Sequence, residues 1–157
     1  MSSPRSLSWT PLSTVTADTL VSSTLTVQTR GGGFVDLTGE VAKFVEQTSA
    51  NEGAVTLFIR HTSASLTIQE NADPSVLDDL MTALDRFAPV DAGWTHDAEG
   101  PDDMPAHVKT MLTATSLHIP VLNGRLALGT WQAIYLIEHR NRPHRREIVL
   151  QFVGSTR

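Results

Sequence analysis

Apolar positions recur along the chain with two kinds of spacing. Alternating β-branched and polar residues at 22–29, and largely apolar runs at 54–60 and 65–70, predict three strands. Apolar residues three and four positions apart predict three helices, at 37–50, at 74–87 and from about Pro105 onward. The predicted buried stripes are Leu37, Val41, Phe44, Val45 and Thr48; Val76, Leu77, Leu80, Leu84 and Phe87; and Val108, Met111, Leu112 and Thr115.

Polar and turn-forming residues divide these elements. Asp73 is a predicted N-cap with Pro74 at the first helical position, where the missing N–H costs nothing. The last third of the chain predicts four strands, at 116–122, 125–128, 130–139 and 147–153, and turns at Asn123-Gly124, Gly129 and 141–144. This spacing is typical of antiparallel hairpins, and Asn-Gly is the strongest hairpin signal among them. We therefore predict one α+β domain with helices inserted between strand pairs.

The strand at 130–139 is apolar on both faces in its middle. That pattern is typical of a strand between two layers or at a subunit interface. Gln132, Glu138 and Arg140 fall on one face by the period of two. Because buried charges need partners, we expect Glu138 to pair with Arg140 in a structural role.

Composition narrows the class of protein. The 157 residues are 40% hydrophobic and 18% charged, as in a globular protein of one domain, and the absence of Cys excludes disulfides, thiolate zinc sites and a cysteine nucleophile. A net charge of -5 argues against nucleic acid as a partner. No membrane-length apolar run or signal peptide is evident, so we expect a cytoplasmic protein. Residues 1–20, rich in Ser, Thr and Pro, predict a loosely ordered arm before a single domain at 21–157.

The densest polar segment is HDAEGPDDMPAH, at 96–107. Its imidazoles favour a zinc-like metal, whereas its carboxylates favour magnesium or manganese. A solvated acidic loop that caps the following helix explains the same residues equally well. The segment thus indicates either metal or acid–base chemistry, or a helix cap.

Two further segments carry candidate chemistry. His61 and Ser63 follow one strand, and Glu70 and Asn71 end the next, which suits a substrate or metal site better than a nucleophile and base. Hydroxyls that stabilise a turn are the structural alternative. The segment HRNRPHRR at 139–146 is the one basic concentration, and Arg140 and Arg146 at its strand ends are the candidates for binding phosphate.

Together the segments HTSASLTIQENADP, HDAEGPDDMPAHVK, PVLNGRLAL, GTWQ and EHR resemble one family, the YjbQ-like proteins, also called UPF0047 or secondary thiamine-phosphate synthase-type proteins. The resemblance covers about 22–154, and the chain departs from it in a longer N-terminal arm and in Trp94. It implies a mixed or antiparallel β-sandwich with about three inserted helices, which forms a homotrimer through its sheets. It also implies a low thiamine-phosphate synthase activity.

That reaction joins a hydroxymethylpyrimidine pyrophosphate to a thiazole phosphate and releases pyrophosphate. A divalent cation, Zn or Mg/Mn, would neutralise the leaving group, Arg140 or Arg146 would bind a phosphate, and His61 or His96 would carry a proton. The site residues carried over from the family motifs are His61, Ser63, Glu70, Asn71, His96, Asp97, Glu99, Asp103, His107, Gln132 and Glu138. Within that set, His61, His96 and His107 are the expected metal ligands.

Two other functions fit the same residues. One is a non-catalytic trimeric protein that binds a small phosphorylated metabolite in a pocket between subunits. The other is a metal-dependent hydrolase of unidentified substrate. We expect an enzyme, because the polar density at 96–107 exceeds what a helix cap needs.

Overall fold

A computed structural model describes residues 5–157. Residues 5–18 form no helix or strand and their side chains are exposed, so regular structure begins at Thr19. This start lies close to the predicted domain boundary at residue 21. Residues 1–4 of the predicted arm lie outside the described residues, and its loose ordering stays a prediction.

The described residues form two antiparallel sheets and three helices. The strands are β1 Thr19–Gln28, β2 Gly33–Asp36, β3 Ala50–Ile59, β4 Ala64–Glu70, β5 Ser116–Leu122, β6 Arg125–Leu126, β7 Gln132–Glu138 and β8 Arg145–Thr156, and the helices are α1 Thr38–Gln47, α2 Pro74–Phe87 and α3 Asp103–Leu112. The larger sheet has the order β1-β8-β3-β5-β6, and the smaller has the order β2-β7-β4. The α+β class with three inserted helices is confirmed.

One apolar core joins the two sheets and α1. It contains Leu57 and Ile59 of β3, Leu150 and Phe152 of β8, Leu66 of β4, Ile134 and Leu136 of β7, and Val41 and Val45 of α1. The opposite face of β7 is also buried, since Ala133, Tyr135 and Ile137 are each at most 5% exposed. The apolar character of both faces of β7 is therefore explained within one chain, as the central strand of the smaller sheet, and needs no subunit interface.

Helices α2 and α3 differ from their predicted packing. No residue of α2 is buried, and Phe87 at the end of its apolar stripe is 70% exposed. In α3 the predicted buried face is wrong: Met111 and Leu112 are exposed, whereas Asp103, Pro105, Ala106 and Lys109 are buried. Polar side chains can take the inward positions of α3 because Asp103 and Lys109 both find charged partners there.

The turns confirm some connections and correct others. Asn123 and Gly124 have φ values of 51° and 76°, which a type I′ hairpin requires, and they join β5 to β6 as predicted. The other two predicted turns do not close hairpins, because β7 lies in the smaller sheet and β6 and β8 lie in the larger. Periodicity identifies strands but carries little information about which strands pair.

One strand was not predicted and several element boundaries differ from the sequence-based expectation. The unpredicted strand is β2 at Gly33–Asp36, which begins at the last residue of the glycine run. Helix α1 ends at Gln47 and β3 begins at Ala50, four residues before the predicted strand, with Ser49 at a φ of 55° between them. No helix within residues 5–157 is long and apolar enough to cross a membrane.

Candidate metal centre

Two histidines and one aspartate meet at the start of α3. His96 comes from the loop after α2, and Asp103 and His107 lie four residues apart on one face of α3. One ligand atom from each lies within 4.8 Å of the other two. Asp103 Oδ2 is 2.7 Å from Nε2 of His96 and 3.2 Å from Nε2 of His107. We call these three residues the His-Asp-His trio.

A backbone carbonyl orients one of the two imidazoles. Nδ1 of His107 lies 2.7 Å from the carbonyl oxygen of Thr62, which can only accept, so Nδ1 carries the proton. Nε2 donates to Asp103 Oδ2 when His107 is protonated, whereas in neutral His107 it has a lone pair that can ligate a cation at that point. A histidine held by a carbonyl at one nitrogen, with the other directed at a shared point, is the usual arrangement of a metal ligand.

Asp103 is the buried member of the trio, with its side chain only 6% exposed. Burial alone would raise the pKa of its carboxyl group. The hydrogen bond from His96 and the charges of His107 and Arg140 outweigh that effect, so the pKa is lowered. Asp103 is thus held ionised, the form that ligates a cation.

Arg140 binds three residues around the start of α3, Glu99, Asp102 and Asp103. Its Nη1 donates to Asp103 Oδ1 at 2.5 Å, its Nε to Asp102 Oδ2 at 3.1 Å and its Nη2 to the carbonyl of Glu99 at 2.8 Å. The pKa of Asp102 is also lowered, since bonds from Asn141 N–H and Arg140 outweigh burial. All three guanidinium nitrogens of Arg140 therefore already have protein partners.

The expected pair between Glu138 and Arg140 is wrong. Glu138, fully buried, is bound by Arg146, whose Nε donates to Oε2 at 2.7 Å and whose Nη2 donates to Oε1 at 2.8 Å. Nη2 of Arg146 also donates to Ser63 Oγ at 3.0 Å. The loop after β7 brings the start of β8 back beside Glu138. Arg146, eight residues further along the chain, therefore reaches the carboxylate instead of Arg140, two residues along.

The prediction that His61 is a metal ligand is also not met within one chain. Within one chain His61 does not belong to the trio, and Asp103 supplies the third ligand atom instead. Nε2 of His61 accepts a hydrogen bond from the backbone N–H of Glu147 at 2.8 Å. Burial, followed by the charge of Arg146, lowers the pKa of His61.

The remaining predicted site residues lie elsewhere. The pairing of β4 with β7 sets Ala64 opposite Glu138 at one end and Glu70 opposite Gln132 at the other. Six residue steps at about 3.3 Å separate these ends by about 20 Å, so Glu70, Asn71 and Gln132 do not reach the trio within one chain. Asp97 and Glu99 lie in the loop beside the trio, with exposed side chains.

The sequence did not predict a chain of polar side chains that joins the last turn of α3 to β4 and to the end of β7. Thr113 Oγ lies 2.7 Å from the carbonyl of Lys109 and 2.6 Å from Ser65 Oγ, which in turn lies 2.8 Å from His139 Nε2. Burial, followed by the charges of Lys109 and Arg146, lowers the pKa of His139 to about 3. Neither residue was predicted to be buried, because His139 opens the basic segment 139–146 and Lys109 lies outside the predicted apolar stripe of α3.

Comparisons with known proteins agree with one another. The family model described as UPF0047 protein YjbQ-like matches residues 23–155. A UPF0047 protein of Synechocystis is 47% identical over 132 residues, which cover 83% of this chain and 90% of that protein. The YjbQ protein of Escherichia coli O157:H7 is 41% identical over 84% of this chain and 96% of its own.

Solved structures extend the likeness to the fold. A YjbQ/UPF0047 protein of Clostridium acetobutylicum has a TM-score of 0.75 at 35% identity, over 84% of this chain and 98% of its own. A conserved hypothetical protein of Thermus thermophilus has a TM-score of 0.73 at 38% identity, over 82% and 97% of the two chains.

Proposed function

Because the chain belongs to the UPF0047 YjbQ-like family, whose relatives are named without an activity, we propose its function from the site: a metal-dependent enzyme that acts on a small phosphorylated metabolite. The ligands are His96, Asp103 and His107. The observation that carries this proposal is the convergence of three ligand atoms, one each from His96, Asp103 and His107, within 4.8 Å of one another, with His107 oriented by the carbonyl of Thr62.

The ligand types favour zinc over magnesium. Two imidazole nitrogens and one carboxylate oxygen form a set typical of catalytic zinc, which leaves a fourth position open to water or substrate. A metal bound there would act as a Lewis acid on a phosphate oxygen. Arg140 would hold Asp103 in place, and Glu99 and Asp97 would lie at the open side of the loop.

The specific reaction we propose is thiamine-phosphate formation, which the family resemblance implies. The carbon that carries the pyrophosphate forms a new bond to the thiazole nitrogen as its bond to the pyrophosphate oxygen breaks. The pyrophosphate leaves with the electrons of that bond. Because His96 is taken up as a metal ligand, a proton for that leaving group would come from solvent at the open side of the loop.

We propose further that the working unit is a homotrimer. Glu70, Asn71 and Gln132 lie at the far end of the β4–β7 pair, about 20 Å from Ala64 and Glu138 within one chain, yet belong to the same family motifs as the trio. Exposed apolar side chains, among them Leu122, Trp131 and Val153, and the partly exposed stripe of α2 are available to a second copy. Light scattering should give about three times the 17.1 kDa of one chain, and a mass of one chain would contradict the trimer.

The test of function combines metal and activity measurements. Wild type, His96→Ala, Asp103→Asn and the control His118→Ala, an exposed histidine on β5, are freed of metal with a chelator. Zn²⁺, Mg²⁺ or Mn²⁺ is then added back, and zinc binding and thiamine-phosphate formation are measured. The trio variants should lose zinc binding and at least ~10²-fold in rate, whereas His118→Ala should keep both.

Each contrary outcome has a defined meaning. Equal rates in wild type and in folded trio variants would exclude catalysis at this site. Release of phosphate without the thiazole partner would point to the hydrolase. Binding of phosphorylated compounds with no turnover under any metal would favour the non-catalytic binding protein.

A further inference from the structure

A cleft of about 540 Å³ opens beside the segment that joins β3 to β4. His61, Thr62 and Ser63 line it, with Arg146 and Phe58, and none of the trio residues does. Phe58 is 49% exposed and gives the cleft one apolar wall. The cleft is therefore separate from the trio, although Thr62 contacts both.

His61 presents a single donor at this cleft. Its Nε2 accepts the N–H of Glu147, so that nitrogen is unprotonated and the ring proton must lie on Nδ1. Nδ1 makes no hydrogen bond to any of residues 5–157. His61 thus offers an N–H that has no protein acceptor.

Arg146 offers two more donors. Its Nε and Nη2 are bound by Glu138 and Ser63, which fixes the plane of the guanidinium group. Nη1 has no hydrogen-bond partner within residues 5–157, although the residue is only 4% exposed. This differs from Arg140, where all three nitrogens have protein partners.

We propose that this cleft binds the phosphate group of a phosphorylated metabolite, through Nη1 of Arg146 and Nδ1–H of His61. Two N–H groups of a fixed guanidinium and one imidazole N–H match a group with three terminal oxygens. Phe58 would pack against the organic part of the ligand. The identification of this ligand with the enzyme's substrate rests on the proposed function, whereas the phosphate site itself does not.

Binding of inorganic phosphate and phenyl phosphate tests the site. Both are titrated into the full chain with a chelator present, so that no metal contributes. Calorimetry gives the affinity, and ¹⁵N NMR reports the ring nitrogens of His61. The variants are His61→Ala and Arg146→Lys, with His118→Ala and the exposed Arg145→Lys as matched controls.

We expect phosphate to shift the Nδ1 resonance of His61, and each site variant to bind about 10-fold more weakly or worse. Both controls should bind as wild type does. Phenyl phosphate should bind more tightly than phosphate, and Phe58→Ala should remove that difference. If Arg146→Lys does not fold, the His61→Ala comparison decides.

Unchanged affinity in His61→Ala, or an equal loss in His118→Ala, would overturn the site. His96→Ala separates the two proposals, because it removes a trio ligand that makes no contact with the cleft segment, and it should leave phosphate binding intact. Phosphate binding by a protein without metal-dependent turnover would leave this site standing and remove the proposed enzyme.

Discussion

The buried pair of Glu138 and Arg146 gives the sharpest prediction for stability. Glu138 is fully buried, Arg146 is 4% exposed, and two hydrogen bonds of 2.7 and 2.8 Å join them. Glu138→Gln keeps the shape of the side chain but removes its charge, and so leaves the guanidinium buried without a counter-ion. Loss of one partner from such a pair costs about 3–5 kcal/mol.

Urea denaturation at a fixed protein concentration measures this loss. In a chain of this length the same change lowers the melting temperature by about 6–20 °C. Glu40→Gln is the matched control, because Glu40 faces Lys43 across 3.9 Å and both side chains are more than half exposed. That surface pair should contribute less than about 1 kcal/mol.

A double variant separates the charge from the packing. Glu138→Leu with Arg146→Met replaces both charges with apolar groups of similar size. This double variant should recover most of the stability, because burying apolar side chains carries no charge-desolvation penalty. A cost below about 1 kcal/mol for Glu138→Gln, or a double variant no more stable than the single one, would show that the buried charge of Arg146 does not need Glu138.

Three further outcomes are expected. His139 has a pKa of about 3 when folded and 6.5 when unfolded, so unfolding takes up a proton below pH 6.5. Urea titrations should show about 1.6 kcal/mol of stability lost between pH 6.5 and 5, and His139→Gln should reduce that loss. Gly154→Ala should lower stability by about 1 kcal/mol or more in thermal denaturation, as overpacking of a core does, because the added Cβ would clash with the carbonyl of Glu52. The control Gly39→Ala in α1 adds a Cβ that meets no atom and should raise stability by about 0.5–1 kcal/mol. Zinc affinity from calorimetry should fall as the pH is lowered from 7.5 to 5.5, because His96 and His107 must be unprotonated to ligate; affinity independent of pH would contradict ligation by them.

Local signals predicted much of the fold. Asp73 accepts a hydrogen bond from the N–H of Ser75 and Pro74 opens α2, because a cap depends only on residues within one turn. The same holds for Asn123-Gly124, whose positive φ values suit these two residues. Which strands pair depends on residues far apart in the sequence. No local signal therefore indicated that the chain passes from the smaller sheet at β7 to the larger sheet at β8.

The site shows the same division between local and distant contacts. The trio members Asp103 and His107 could be found because they lie four residues apart on one helix, and His96 because it belongs to the same dense segment. The partner of Glu138 and the position of His61 could not, since both depend on where β8 begins relative to β4. Lys109 gave the opposite signal, because Val108 and Met111 beside it predicted that another face of α3 is buried.

One short segment connects the two proposed sites. The carbonyl of Thr62 fixes the tautomer of His107, and the next residue, Ser63, accepts from Arg146 through its hydroxyl. The first contact is made by backbone and does not depend on the side chain at position 62. The second is made mainly by the hydroxyl, at 3.0 Å, with a longer bond of 3.3 Å from the same nitrogen to the carbonyl of Ser63. Ser63→Ala should therefore weaken phosphate binding through the position of Arg146 and leave zinc binding unchanged. A variant that lost both would mean that the segment itself had moved, and its backbone amide signals in NMR would reveal that movement.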